Sequence, residues 1–134
     1  MKIIGLDHVA IATNDAQGHG ELLEKLLGLD LGETKSNPAN KLAISFLDAH
    51  NTEIEFLQPL DPETAISKFL AKRGPGIHHI CFLVENIEEA LEELKSKNVK
   101  LIDTKPRTGA EGSMIAFLHP DAAGGILIEL KEKV

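Results

Sequence analysis

Cys81 is the only cysteine in the chain, so no intramolecular disulfide can form and a reducing cytoplasm is the expected compartment. Positive charge is in deficit: 14 Lys and Arg against 21 Asp and Glu leave a formal charge of −7. That balance disfavours a nucleic acid or an anionic membrane surface as the main partner. An anionic ligand would need a local basic patch working against the global field. No apolar run approaches the roughly 20 residues of a membrane span. Met1-Lys2-Ile3-Ile4 runs straight into a strand pattern instead of a targeting segment. What the chain does have is 134 residues with 43% hydrophobic content, enough for one compact domain with an adequate core.

That domain is written twice. Gly5-Leu6-Asp7-His8-Val9-Ala10-Ile11-Ala12 is echoed by Gly76-Ile77-His78-His79-Ile80-Cys81-Phe82-Leu83. Each copy closes on an acid among apolar residues, Glu55 in Ile54-Glu55-Phe56-Leu57 and Glu129 in Leu127-Ile128-Glu129-Leu130. In the first copy, residues 3–12 read as a strand. Asn14 or Asp15 then caps a helix carrying Leu22, Leu23, Leu26 and Leu27, which Gly28 stops. Gly18 and Gly20 weaken the first turns of that helix by roughly 1 kcal/mol each relative to Ala. A strand at 29–34, a loop at 35–40 and a hairpin of 42–48 with 53–58 follow. A linker at 61–73 has its own helix, with Pro62 in the first turn and Ile66, Phe69 and Leu70 as its apolar stripe. The second copy repeats the order: a strand at 78–84, a helix from the Asn86 cap to about Lys97, a strand at 99–102, a loop at 105–112 and a hairpin of 114–118 with 126–130. The expected fold is α+β, two βαβββ modules at about 3–60 and 76–134 within one domain spanning 1–134, related by a pseudo-two-fold axis with the sheets curling around a cleft.

Strand alternation sends His8, Ala10 and Ala12 to one face, where the two alanines leave room beside the imidazole. Glu55 lies on the face of Glu53 and Leu57, and Glu129 on that of Leu127 and Lys131. A lone buried carboxylate is costly unless something positive stands beside it. A single His in an apolar strand is more often a hydrogen-bonded core residue than a ligand. Joint occurrence at equivalent places in both copies is what singles these four out. Two imidazoles and two carboxylates meeting at one divalent ion, Co, Mn, Ni or Zn, would remove the burial cost and leave positions open for substrate.

These same residues resemble the vicinal-oxygen-chelate (glyoxalase-like) superfamily and, within it, the methylmalonyl-CoA epimerase family. The resemblance covers nearly the whole chain. It rests on Leu6 to Ala12, Ile54-Glu55-Phe56-Leu57-Gln58-Pro59-Leu60, Gly76-Ile77-His78-His79-Ile80, and Phe117-Leu118-His119-Pro120 running into Gly124 to Leu130. The double His and the His-Pro-to-Gly-Gly segment point most narrowly to the epimerases. The resemblance implies metal ligands at His8, His79 and Glu129, with Glu55 at the fourth position, which is Gln or Glu among relatives. It also implies an acyl-CoA substrate, a homodimer, and epimerisation at C2 through a metal-stabilised enolate. Glu129 is then the expected proton-transfer residue, and internal symmetry names Glu55 as its counterpart across the ion. Some relatives draw a Glu from the preceding strand, and Leu42 to Leu47 offers none here.

The same ligand set would also serve a glyoxalase I-type isomerisation of a glutathione hemithioacetal. A non-enzymatic binding or resistance protein is a third use of the fold, though proteins of that kind commonly lack the ligands. Among the remaining groups, Lys105, Arg107 and the Gly109–Gly112 loop read as an exposed turn, or as a contact for CoA phosphates. His119 reads as a packing or turn residue, or as a substrate contact; His19 and His50 read as surface residues, Cys81 as a small core residue and His78 as an outer-face neighbour of His79.

Overall fold

The computed structural model describes residues 1–134. The chain divides into two compact units, one of His8–His78 and one that joins Met1–Asp7 to His79–Val134. The architecture is α+β, as the repeat predicts. No helix is long and apolar enough to cross a membrane.

In the unit His8–His78, strand β1 (Ile3–Ala12) enters at His8 and runs parallel to β5 (Glu53–Pro59), with His8 opposite Glu53 and Ala12 opposite Leu57. β5 pairs antiparallel with β4 (Leu42–Asp48), and β4 with two short strands, β2 (Asp30–Leu31) and β3 (Lys35–Asn37). The strand expected at 29–34 thus shrinks to two residues, and the expected loop at 35–40 starts with a strand. Helix α1 (Ala16–Leu27) is capped by Asp15, whose carboxylate accepts the Gly18 amide at 3.0 Å, and ends on Gly28 at φ 70°. Its inward stripe is Ala16, Gly20 and Leu23, whereas Leu22, Leu26 and Leu27 face outward. Gly20 decides which face packs, because a Cβ there would lie 2.6 Å from Leu31 Cδ1. It is a close-approach glycine as well as a weak helix former.

Helix α2 (Ala65–Arg73) is capped by Thr64, whose hydroxyl accepts the Ser67 amide at 3.1 Å; Pro62 stands before the cap in the turn, not in the first helical turn. Ile66 of α2, with Phe69 and Leu70, packs on Ala10, Ala12, Ile44 and Leu57. The space beside His8 that the small alanines suggest is therefore taken, at Ala10 and Ala12, by this helix.

The other unit repeats the pattern. β6 (Gly76–Val84) enters at His79 and runs parallel to β9 (Ile128–Glu132), which pairs antiparallel with β8 (Met114–Leu118), and β8 with β7 (Arg107–Thr108). Here too a short strand replaces part of an expected loop. Helix α3 (Ile87–Ser96) is capped by Asn86, which accepts the Glu89 amide at 3.0 Å. Ile87, Ala90, Leu91 and Leu94 all point inward, onto Val84, Ala116 and Leu130. The strand expected at 99–102 is a single bridge from Leu101 to Leu118. β9 starts two residues later than expected because Gly124 (φ 66°) and Gly125 (φ 94°) still turn the chain after the 3₁₀ turn Pro120–Ala123. The first residues of β1 belong to this unit, and the Lys2 carbonyl accepts the Glu85 amide at 3.1 Å.

Candidate active site

Each unit, taken by itself, holds one buried imidazole–carboxylate pair. In His8–His78, the His8 Nδ1 lies 3.1 Å from Glu55 Oε2, with side chains 5% and 7% exposed. In the other unit, the His79 Nε2 lies 2.9 Å from Glu129 Oε1, with side chains 7% and 9% exposed. The structure thus brings together His8 with Glu55 and His79 with Glu129, each pair on the first and last strands of its unit. Parallel pairing of those two strands is what sets the members side by side.

The next row outward is also repeated, and periodicity in the sequence did not reveal it. Phe46 of β4 sits directly opposite Glu55, and Phe117 of β8 directly opposite Glu129. Directly opposed residues share a face of the sheet, so a phenyl ring walls each carboxylate. Phe117 meets the His79 ring edge-on at 5.4 Å. One strand further out, a cation covers each ring: Lys35 Nζ at 5.9 Å from the Phe46 centroid, Arg107 Cζ at 5.5 Å from that of Phe117. Lys35 opposes Ile44 and Arg107 opposes Ile115, so the two rows correspond residue by residue. Pattern reading placed Arg107 only in an exposed loop and passed over Lys35, because both cations lie on two- or three-residue strands inside apparent loops.

Two residues past each carboxylate the copies differ. Leu57 is buried under α2. Its counterpart Lys131 is half-buried, with its ammonium 3.3 Å from Asp7 and 3.5 Å from Glu111. Desolvation pulls Lys131 down, but the neighbouring Glu111 and Asp7 carboxylates outweigh it, so its pKa is raised above 10.5.

The remaining histidines fall outside the pairs. His78 lies edge-on to Phe69 at 5.1 Å, turned away from His79 as alternation requires. His119 caps the 3₁₀ turn, its Nδ1 accepting the Asp121 amide at 3.0 Å. His50 is exposed. His19, expected at the surface, is partly buried, with Nδ1 3.0 Å from Thr13 Oγ1 and its ring 4.9 Å from Phe56. Cys81 is fully buried.

Comparison with known proteins gives the chain's relatives. Residues 7–117 match the family described as Glyoxalase/Bleomycin resistance protein/Dioxygenase superfamily. The chain is 40% identical to the mitochondrial methylmalonyl-CoA epimerase of Dictyostelium discoideum, over 96% of this chain and 78% of that protein. The crystal structure of methylmalonyl-CoA epimerase from Mycobacterium tuberculosis superposes with a TM-score of 0.89 at 36% identity, covering 98% of this chain and 89% of that one. A variant of the Streptomyces coelicolor methylmalonyl-CoA epimerase in complex with 2-nitronate-propionyl-CoA superposes at 0.88 with 29% identity, covering 99% of both chains.

Proposed function

The chain belongs to the glyoxalase/bleomycin resistance protein/dioxygenase superfamily and, within it, to the methylmalonyl-CoA epimerases; on that premise we propose that it inverts C2 of methylmalonyl-CoA by removing and returning one proton. The observation that carries the reading on the side of this chain's own chemistry is the buried imidazole–carboxylate pair present in each unit.

The donor set suits one divalent ion, with Co, Mn, Ni and Zn as candidates, held by His8, Glu55, His79 and Glu129. Two carboxylates, each nearly buried against an imidazole, are a costly arrangement without a cation beside them. The chain also passes from one unit to the other at Asp7–His8 and at His78–His79, so both histidines open a segment. When bound, such an ion supplies Lewis-acid stabilisation of charge developing on the substrate's oxygens, worth several kcal/mol.

The residues supply the rest. A C2 proton between a thioester carbonyl and a carboxylate is acidic enough for a carboxylate base only if that base is held close and dry. Glu129, buried against His79 and walled by Phe117, meets that requirement. Glu55 has the same environment in the other unit, so we assign Glu129 and Glu55 as the two proton-transfer residues. Inversion requires that one take the proton and the other return it on the opposite face. A homodimer completes the reading, supported by the outward leucines of α1, which light scattering coupled to size exclusion would test.

The deciding experiment is incubation with methylmalonyl-CoA in D₂O, following deuterium entry at C2 before and after EDTA. Exchange that stops with EDTA and returns with added divalent metal is expected. Absence of exchange, together with turnover of the methylglyoxal–glutathione hemithioacetal, would replace the epimerase reading with a lyase one.

A further inference from the structure

Resting on the two-carboxylate reading of the site, we propose that Gln58 and Glu132 are positioning residues. Each locks the strand that carries a proton-transfer glutamate to the helix that follows the histidine strand. Both make the same long-range contact. In the unit His8–His78, Gln58 Oε1 accepts the amide of Ala16, the first residue of α1, at 2.9 Å. In the other unit, Glu132 Oε2 accepts the amide of Ile87, the first residue of α3, at 3.0 Å. Gln58 stands three residues past Glu55 and Glu132 three past Glu129, while Ala16 and Ile87 each stand eight past the histidine of their unit. The contact therefore belongs to the duplicated unit, made by an amide in one copy and a carboxylate in the other.

Helix capping alone does not account for it. The first amides of a helix lack intrahelical partners, and side chains just before the helix or water ordinarily serve them. Asp15 and Asn86, directly before each helix, do serve the third amide, that of Gly18 and of Glu89, at 3.0 Å each. The acceptor for the first amide comes instead from 42 residues away in one unit and 45 in the other, on the strand that bears the glutamate.

What the contact adds is a fixed register. β1 with β5 and β6 with β9 are parallel pairs, which no tight turn joins, so nothing local sets how far one strand slides along the other. Both ladders end beside the tether: Ala12 pairs with Leu57, next to Gln58, and Val84 pairs with Glu132 itself. Each histidine strand runs almost directly into its helix, so a bond from the helix start to the glutamate strand holds the two strands at their shared end. Glu55 and Glu129 lie a short span back along those strands, against His8 and His79. A reacting group misplaced by about 1 Å costs on the order of 10²-fold in rate.

Inversion presents the C2 proton of each epimer to a different glutamate, so displacing one carboxylate slows proton loss from one epimer only. The test measures initial loss of the C2 proton from each pure epimer of methylmalonyl-CoA in D₂O. Glu132→Ala should slow one epimer on the order of 10²-fold and Gln58→Ala the opposite one, with KM little changed. Glu132→Gln should restore the wild-type rates, because Gln58 makes the same contact with an amide oxygen. Asp15→Ala and Asn86→Ala uncap the same helices without touching the glutamate strands, and should lower the melting temperature while favouring neither epimer. Equal slowing of both epimers by the tether variants, or the same epimer preference from the cap variants, would overturn the proposal. A wild type that releases no C2 proton would sink the epimerase reading alone, and crystal structures of Glu132→Ala and Asn86→Ala then decide the positioning role. The His79 Nε2–Glu129 Oε1 contact, 2.9 Å in the wild type, should open by about 1 Å in the first variant and persist in the second. An unchanged contact in Glu132→Ala would overturn the role.

Discussion

Set beside each other, the two units agree row by row from the site outward and then part company. Each has a histidine on its first strand, a glutamate on its last, a phenylalanine opposite that glutamate and a cation over the ring. Two residues beyond the glutamate the match ends, with Leu57 under helix α2 in one unit and Lys131 between Asp7 and Glu111 in the other. The innermost His–Glu pairs are buried, and a change there leaves an uncompensated polar group, so a duplicated scaffold has little freedom at those positions. The outer row only has to close one face of a sheet. Apolar packing under a helix and an ion-paired surface both do that, and they leave very different faces beside the carboxylate.

If the resemblance between the inner rows is functional, the two carboxylates must both matter. Glu129→Gln should lower C2 exchange by roughly 10²–10⁴-fold, the usual range for losing a general acid or base. Glu55→Gln should lower epimerisation by about 10²-fold or more on the same scale, read by the rate of interconversion of the two epimers. Undiminished interconversion in the Glu55 variant would leave that residue a ligand at most and confine proton transfer to the other unit.

The outer rows predict effects on stability. Leu57→Ala removes a buried side chain from the α2 cluster and should cost about 2–5 kcal/mol in urea unfolding. Lys131→Met removes ion pairs that are partly solvated and should cost no more than about 1 kcal/mol. Equal costs would mean that the two faces are closed in the same way after all.

The smallest effect is the pH dependence of that lysine. Its ammonium is favoured in the folded state, so its contribution is fully present below the ordinary lysine pKa of about 10.4 and is lost as pH rises through its raised folded value. Unfolding curves of wild type and Lys131→Met should therefore stay a constant distance apart from pH 7 to about 10 and converge only above that. Convergence at neutral pH would show that the contact to Asp7 and Glu111 does not form.

Much of this was legible in the residues. β1, β4, β8 and helices α1 and α3 stand where pattern and caps put them, because Asp15, Asn86 and Gly28 carry out capping chemistry that depends only on neighbours in sequence, whereas α2 starts later than Pro62 suggested, after a Thr64 cap. The duplicated His and Glu could be read from spacing alone. β3 and β7 could not, since Lys35–Asn37 and Arg107–Thr108 are too short to show alternation and exist only because β4 and β8 offer an edge to pair with.

What the sequence by itself determined is the duplication, the alternation that buries His8 and His79, and the identity of the two carboxylates, all of them consequences of local periodicity. What only the tertiary structure decided is which residues surround those pairs. Register across strands put Phe46 and Phe117 against the glutamates, and α2 filled the space over Ala10 and Ala12 in one unit only. Those relations join residues far apart in the chain, and the packing that sets them has no signature in any one segment.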